Sequence, residues 1–134
     1  METHIRNSFD KQGLMATLSA RIDSIDPGRV VISAPIVPQT SQQHGFAHAG
    51  LTFALGDSAA GYSALTTMAE GSDVLTAEMK INLIAPADGT RLVATGEVIK
   101  PGRRLVITRA NVETEYADGR RKLVAVLQGT MVPV

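Results

Sequence analysis

The stretch Gln42–Met68, QQHGFAHAGLTFALGDSAAGYSALTTM, decides how the chain is read. From Ala49 onward it is Ala- and Gly-rich, with no Lys, Arg or Glu before Glu70, so it predicts one long buried helix to about Met68, ending near Gly71. Asp57 breaks that pattern. On a helix its neighbours three and four residues away are Phe53, Ala54, Ala60 and Gly61, with Gly50 and Ala64 extending the stripe. None is a cation. An ionised carboxylate fully dry at that place costs several kcal/mol or takes up a proton instead. A bland reading has backbone donors of a neighbouring strand or subunit satisfying it. The small residues around it favour a different one, a carboxylate with space beside it, as in a pocket.

Outward from the helix the pattern changes to strands. Ahead of it, Thr3 to Gln12 predicts a short helix ended by Gly13. Leu14, Ala16, Leu18, Ala20 and Ile22 alternate as in a strand, Asp26-Pro27-Gly28 turns the chain, and Val30 to Ile36 returns. Val37 to Phe46 is a polar loop. Behind the helix, Leu75, Ala77, Met79, Ile81 and Leu83 alternate with Thr76, Glu78, Lys80 and Asn82. Turns at Pro86–Gly89, Pro101-Gly102 and Asp118-Gly119 separate three further strands, four in succession. One helix and one antiparallel sheet make a two-layer α+β fold, with the sheet curved around the helix and burying it nearly all round.

Composition narrows the class. The chain has 134 residues, 44% of them hydrophobic and only 4% aromatic, which suits a single domain, 1–134, with an aliphatic core. Its formal net charge is zero, unlike a typical nucleic-acid binder. There is no cysteine, hence no disulfide, thiolate metal site or cysteine nucleophile. No run is long enough to cross a bilayer and the first residues carry no signal-type apolar core, so the expectation is a soluble cytoplasmic protein.

His44 and His48 precede the helix. Two histidines four apart, off a helix and without a third ligand, do not make a metal site. His-Ala-Gly opening a helix is more informative. The amides of Ala49 and Gly50 are among the unpaired donors of a helix start, suited to polarising a carbonyl or holding an oxyanion.

HAGLTFALGDSAAGYSAL resembles the HGG…LAD signature of the hotdog-fold acyl-CoA thioesterases, the phenylacetate-pathway type and its relatives. The likeness runs from about residue 9 to residue 133. Asp57 lies nine residues after His48, Gln42 six before it, and Thr76 stands on the next strand, as in that family. The resemblance implies that Asp57 is nucleophile or general base, and that the Ala49 amide polarises the thioester carbonyl. Gln42 would stand beside that carbonyl or orient water, His48 would hold the helix start, and Thr76 would contact the carboxylate or the water. It implies a substrate, acyl-CoA, no cofactor and no metal, and a site assembled from two subunits. Ala49 replaces the family's usual first glycine, and its methyl group narrows the approach to the amide.

Gly50 belongs to the substrate side of the same helix start. Lys100, Gly102, Arg103 and Arg104, around the Pro101-Gly102 turn, are the candidates for the anionic CoA moiety, ahead of Arg120, Arg121 and Lys122. The strand beginning at Arg103 and the long helix are expected to help build a homodimer with one continuous sheet, two dimers pairing into a tetramer. Other readings stand beside this one. They are a dehydratase or hydratase using His44 with Asp57, a non-catalytic acyl-CoA binder, and a dimer in which Asp57 is structural. The acyl group itself is not legible in the chain.

Overall fold

Six antiparallel strands and one long helix build the protein, seen here in a computed structural model that describes all residues from Met1 to Val134. Two short helices, α1 (Glu2–Asp10) and α2 (Gly13–Thr17), lead to strands β1 (Arg21–Asp26) and β2 (Arg29–Pro35). A short helical turn at Pro38–Thr40 and a loop precede the long helix α3 (Ala49–Leu65). Strands β3 (Val74–Leu83), β4 (Arg91–Lys100), β5 (Val106–Glu115) and β6 (Arg121–Pro133) complete the chain. The sheet order is β1-β2-β4-β5-β6-β3, with every neighbouring pair antiparallel. This is the hotdog fold, a curved sheet holding one long central helix.

The helix seats on the sheet through small residues. Ala59, Ala60 and Ala64 are wholly buried, and a Cβ at Gly96 of β4 would fall 2.2 Å from the Ala59 carbonyl oxygen. Glycine is therefore required where β4 passes under the helix backbone. Around this contact Val30, Ile32, Leu55, Leu92, Val106, Val112, Val124 and Met131 form the aliphatic core. The helix ends at Leu65 rather than Met68, because the hydroxyls of Ser63, Thr66 and Thr67 donate back to the carbonyls of Ala60, Ser63 and Ala64 at 2.6–2.8 Å.

Five expectations need correction. Leu14 to Ala20 is not strand: Gly13–Thr17 makes one helical turn that buries Met15 while Leu14 stays 56% exposed. The alternation there is incidental, since Met15 is the residue the turn buries fully, while Leu18 and Ala20 pack half-buried against the core. The four late strands are not one meander. Only β4, β5 and β6 pair in succession, while β3 crosses to the far side of β6. Consequently β5, the strand expected at a dimer edge, is hydrogen-bonded on both sides by β4 and β6. The open edges are β1 and β3.

The even alternation along β3 also fails. A bulge shifts the register between Thr76 and Glu78, so that Thr76 pairs with Met131 and Glu78 with Thr130. The extra residue, Ala77, changes the parity of the strand. Thr76 thereby turns inward toward the helix, on the same side as Met79 and Ile81. Finally, the helix is not covered all round. Ala49 and Gly50 are exposed, and Phe53, Ala54, Asp57 and Ser58 half-buried, a continuous uncovered stripe at helical spacing.

Candidate active site

Asp57 lies on the uncovered stripe of α3, and its Oδ1 accepts a 2.7 Å hydrogen bond from the Thr76 hydroxyl of β3. No Lys, Arg or His pairs with it among the ion pairs of the chain. Burial pushes its carboxyl up from its ordinary value, and the Thr76 bond offsets part of that shift by favouring the charged form. The carboxylate lines a cavity of about 420 Å³ together with Ser8, Gln12, Ser58, Tyr62 and Thr76. A half-desolvated carboxylate with one oriented hydroxyl and open space is equipped to take a proton from water or to attack an electrophile.

The start of α3 is a separate construction. His48 occupies the N-cap with extended backbone (φ −64°, ψ 143°), and its Nδ1 accepts the Gly50 N–H at 2.7 Å. An Nδ1 that accepts puts the proton of the neutral ring on Nε2. The His48 N–H donates to the Thr40 carbonyl at 2.9 Å, and the Ala47 N–H to the Ala87 carbonyl at 3.0 Å. The helix start is thus tied to the segments on both sides of it. Of the two amides singled out in the sequence, that of Gly50 is occupied by the imidazole. That of Ala49 is exposed and donates to nothing within the chain.

Gln42 closes the loop before the helix. Its Oε1 accepts the N–H groups of His44 and Phe46, its own N–H donates to the Phe46 carbonyl at 2.8 Å, and its carbonyl accepts from Gly45 at 3.0 Å. The side-chain Nε2 makes no bond within the chain and borders a second cavity. That cavity, of about 470 Å³, is lined by Gln42, Phe46, His48, Ala49, Thr52 and Leu83, among others. His44 lies exposed on the loop and lines neither cavity, so nothing pairs it with Asp57 in the chain.

The structure therefore brings Asp57 and Thr76 together, and Gln42, His48 and Ala49 together, but not the two groups with each other. Eight residues of helix separate Ala49 from Asp57, a rise of about 12 Å. A carbonyl held at one could not touch the other.

The cationic turn is placed between β4 and β5. Lys100, Arg103 and Arg104 are exposed and enter no ion pair, and Gly102 allows the turn because a Cβ there would fall 2.3 Å from the Leu105 carbonyl oxygen. Gly102 and Arg103 border a cavity of about 430 Å³ beside the chain that leaves α3. The rival cluster is committed internally. Arg120 pairs with Asp118 at 2.8 Å, Arg121 with Glu115 at 2.8 Å, and Lys122 with Asp88 at 3.1 Å.

Four polar residues of the Asp57 cavity were not singled out in the sequence: Ser8, Gln12, Ser58 and Tyr62. Helical spacing offered a signal for two of them, since Ser58 and Tyr62 are four residues apart on α3. Nothing in the sequence tied Ser8 and Gln12, some fifty residues earlier, to that face.

Comparison with known proteins bears on the same residues. The sequence pattern of the Thioesterase superfamily matches residues 44–117, a span that holds His48, Ala49, Asp57 and Thr76. A thioesterase family protein from Silicibacter pomeroyi superposes with a TM-score of 0.93 and is 42% identical, covering 97% of this chain and 95% of that one. The 1,4-dihydroxy-2-naphthoyl-CoA hydrolase of Listeria monocytogenes is 24% identical over 119 residues, 89% of this chain and 94% of its own. The PaaI protein of the phenylacetic acid degradation operon of E. coli shares the fold, with a TM-score of 0.83 at 21% identity over 96% of this chain and 89% of that one. With the helix, the strand order and the matched span agreeing, this chain belongs to the thioesterase superfamily and is a hotdog-type hydrolase of that family.

Proposed function

We propose that the protein hydrolyses an acyl-CoA thioester to the free acid and CoA, in a homodimer that builds each site from both chains. The observation that carries this reading is the Asp57–Thr76 pair, a half-buried carboxylate without a cation that faces a cavity on the uncovered side of α3. The hydrolase of Listeria monocytogenes, whose name states an acyl-CoA substrate, supports the choice of thioester. The unpaired cations Lys100, Arg103 and Arg104 suit the phosphates of CoA.

Two copies are needed because the Ala49 and Asp57 half-sites lie about 12 Å apart on one helix. β3 is a ten-residue edge strand with Leu75 and Leu83 more than half exposed. Such an edge invites pairing with a second strand. Antiparallel pairing of β3 with its copy would continue the sheet and bring the two uncovered helix stripes face to face. The Ala49 end of one helix then meets the Asp57 region of the other.

In this site the Ala49 N–H polarises the thioester carbonyl, and the free Nε2 of Gln42 stands nearby. Asp57 takes a proton from water as the water oxygen attacks the carbonyl carbon. The tetrahedral intermediate expels CoA as thiolate, and the proton on Asp57 passes to the sulfur. By the nucleophilic variant the Asp57 oxygen attacks instead, CoA leaves, and water hydrolyses the resulting anhydride. Both routes need Asp57 ionised, so kcat/KM should rise with pH through a limb shifted upward from that of an ordinary aspartate. Thiol release from a panel of acyl-CoAs tests the reading directly. Absence of turnover with every member by the intact oligomer would leave a binding role in its place.

A further inference from the structure

Asp88 stands on the segment that joins β3 to β4, and two donors converge on one of its oxygens. Its Oδ1 accepts the Tyr116 hydroxyl at 2.6 Å and Lys122 Nζ at 3.1 Å. The Arg120 guanidinium lies over the Tyr116 ring at 4.9 Å. Tyr116 follows β5 and Lys122 opens β6, so the carboxylate is tied to both arms of that hairpin. At the surface such an ion pair adds little to stability. What it holds in place is the better guide to its use.

The segment it holds is seated against the start of α3. Its ends are fixed: the Ile84 N–H donates to the Val124 carbonyl at 2.8 Å, and the Gly89 N–H to the Thr114 hydroxyl at 2.9 Å. A Cβ at Gly89 would fall 2.4 Å from the Glu115 carbonyl oxygen, so the segment lies directly on the end of β5. Between these ends the buried Ala87 turns its carbonyl to the Ala47 N–H at 3.0 Å. Asp88 is the next residue after Ala87, and Ala47 stands two residues before Ala49. Ala85, Pro86 and Ala87 also line the cavity that Gln42 and Ala49 border. A continuous path therefore runs from Tyr116 and Lys122 through Asp88, Ala87 and Ala47 to the free amide of Ala49.

That amide depends on such support. It donates to nothing within the chain, so only the backbone around it sets its direction. A group misplaced by about 1 Å can lose about a hundredfold in rate. We infer that Asp88, held by Tyr116 and Lys122, is a positioning residue for the Ala49 amide that polarises the thioester carbonyl. This deepens the proposed hydrolysis and rests on it. None of the three lines the Asp57 cavity or the Ala49 cavity, so they act through the helix start. The Tyr116 hydroxyl, and after it Lys122, lowers the Asp88 carboxyl from its ordinary value, whereas burial raises that of Asp57. Asp88 is therefore ionised wherever Asp57 is.

The test measures thiol release by the full-length oligomer, checked by size-exclusion chromatography, from an acyl-CoA that the wild type turns over. Asp88→Ala should lower kcat by about tenfold, with KM within about twofold and the acid limb of the pH–rate profile unmoved. Asp88→Asn still accepts the Tyr116 proton and should recover most of that loss. Tyr116→Phe should lower kcat by about threefold. Neither residue belongs to the core, so the Tyr116 variant carries the test should Asp88→Ala fold poorly. In an Ala49→Pro background, where the amide is gone, Asp88→Ala should cost no more than about twofold further. In a Thr76→Val background the whole loss of about tenfold should return. Unchanged kcat in both Asp88→Ala and Tyr116→Phe overturns the positioning role and leaves the thioesterase reading intact. So does an undiminished loss in the Ala49→Pro background, the mark of a general loosening of the fold. Absence of wild-type turnover with every acyl-CoA tested overturns the reading of function, and this role with it.

Discussion

The two ends of the candidate site differ in how they are held. At the start of α3, Gln42, His48 and their neighbours are tied by a dense set of bonds, Gln42 Oε1 to two amides and His48 Nδ1 to Gly50. The groups left free there are donors, the Ala49 backbone N–H and the Gln42 Nε2. Eight residues on, Asp57 is held by a single hydroxyl, beside open space and without a counter-charge. The first region is cross-linked by hydrogen bonds and presents backbone and amide donors. The second is left short of partners and offers a reactive charge. Preorganised donors and a poorly compensated carboxylate are different requirements, and one helix meets both by separating them along its length.

The sharpest way to break this comparison is to remove each half alone. Ala49→Pro deletes the free N–H, and proline fits the first helical position after an extended His48. We expect kcat to fall by about a hundredfold to a thousandfold with the oligomer intact. Asp57→Asn keeps shape and removes charge, and should lower kcat by roughly a hundredfold or more with little change in binding. Mixing the two inactive variants after dissociation and reassociation sharpens the contrast. If the halves come from different chains, random pairing restores about a quarter of wild-type activity through one intact site per mixed dimer. No recovery in demonstrated mixed dimers would place both halves in one chain.

Smaller effects report on what tunes each half. Thr76→Val removes the bond that holds the Asp57 carboxyl down. It should lower kcat by about tenfold and move the acid limb of the pH–rate profile upward. An unchanged limb would show that the hydroxyl serves only packing. Replacing Arg103 and Arg104 together by Ala should raise KM about threefold to tenfold, with kcat held and the effect fading in high salt. Equal loss at all salt concentrations would point to damage of the turn rather than loss of charge.

The smallest effect is on stability. Burial raises the Asp57 carboxyl, so the folded chain keeps that proton to higher pH than the unfolded one. The resulting stabilisation is present at low pH and is lost as pH rises through the folded value. At neutral pH the ionised group opposes folding, tempered by its partial exposure. Asp57→Asn should then raise Tm by roughly 2 °C at pH 7 and by less near pH 4. A lower Tm at pH 7 would mean that the charge itself holds the fold or the interface.

Much of this was legible in the residues. Helix α3, the Asp26-Pro27-Gly28 turn with strand β2 after it, and the β4–β5–β6 hairpins follow from hydrophobic period and turn chemistry, because those signals are local. Asp57 stood out because a carboxylate among alanines and glycines conflicts with its surroundings. The roles of Ala49, Gln42, His48 and Thr76 came from resemblance and spacing. The residues alone would have placed Thr76 on the wrong face of β3, since the bulge at Ala77 leaves no mark that strict alternation would reveal. Gly50 was chosen with Ala49 as a donor, and only the geometry of the His48 ring shows that its amide is taken.

By itself, then, the sequence determined the long helix, most of the strands, the aliphatic character of the core and the anomalous carboxylate at Asp57, for these depend on neighbours within a few residues. The tertiary structure alone decided which strand is left at the edge, β3 rather than β5, because pairing across the sheet joins residues far apart in the chain. It alone left the Asp57 stripe of the helix uncovered, and it alone brought Ser8 of the first helix and Gln12 just after it to Tyr62. Each of those facts is a distance between residues that the order of the chain does not fix.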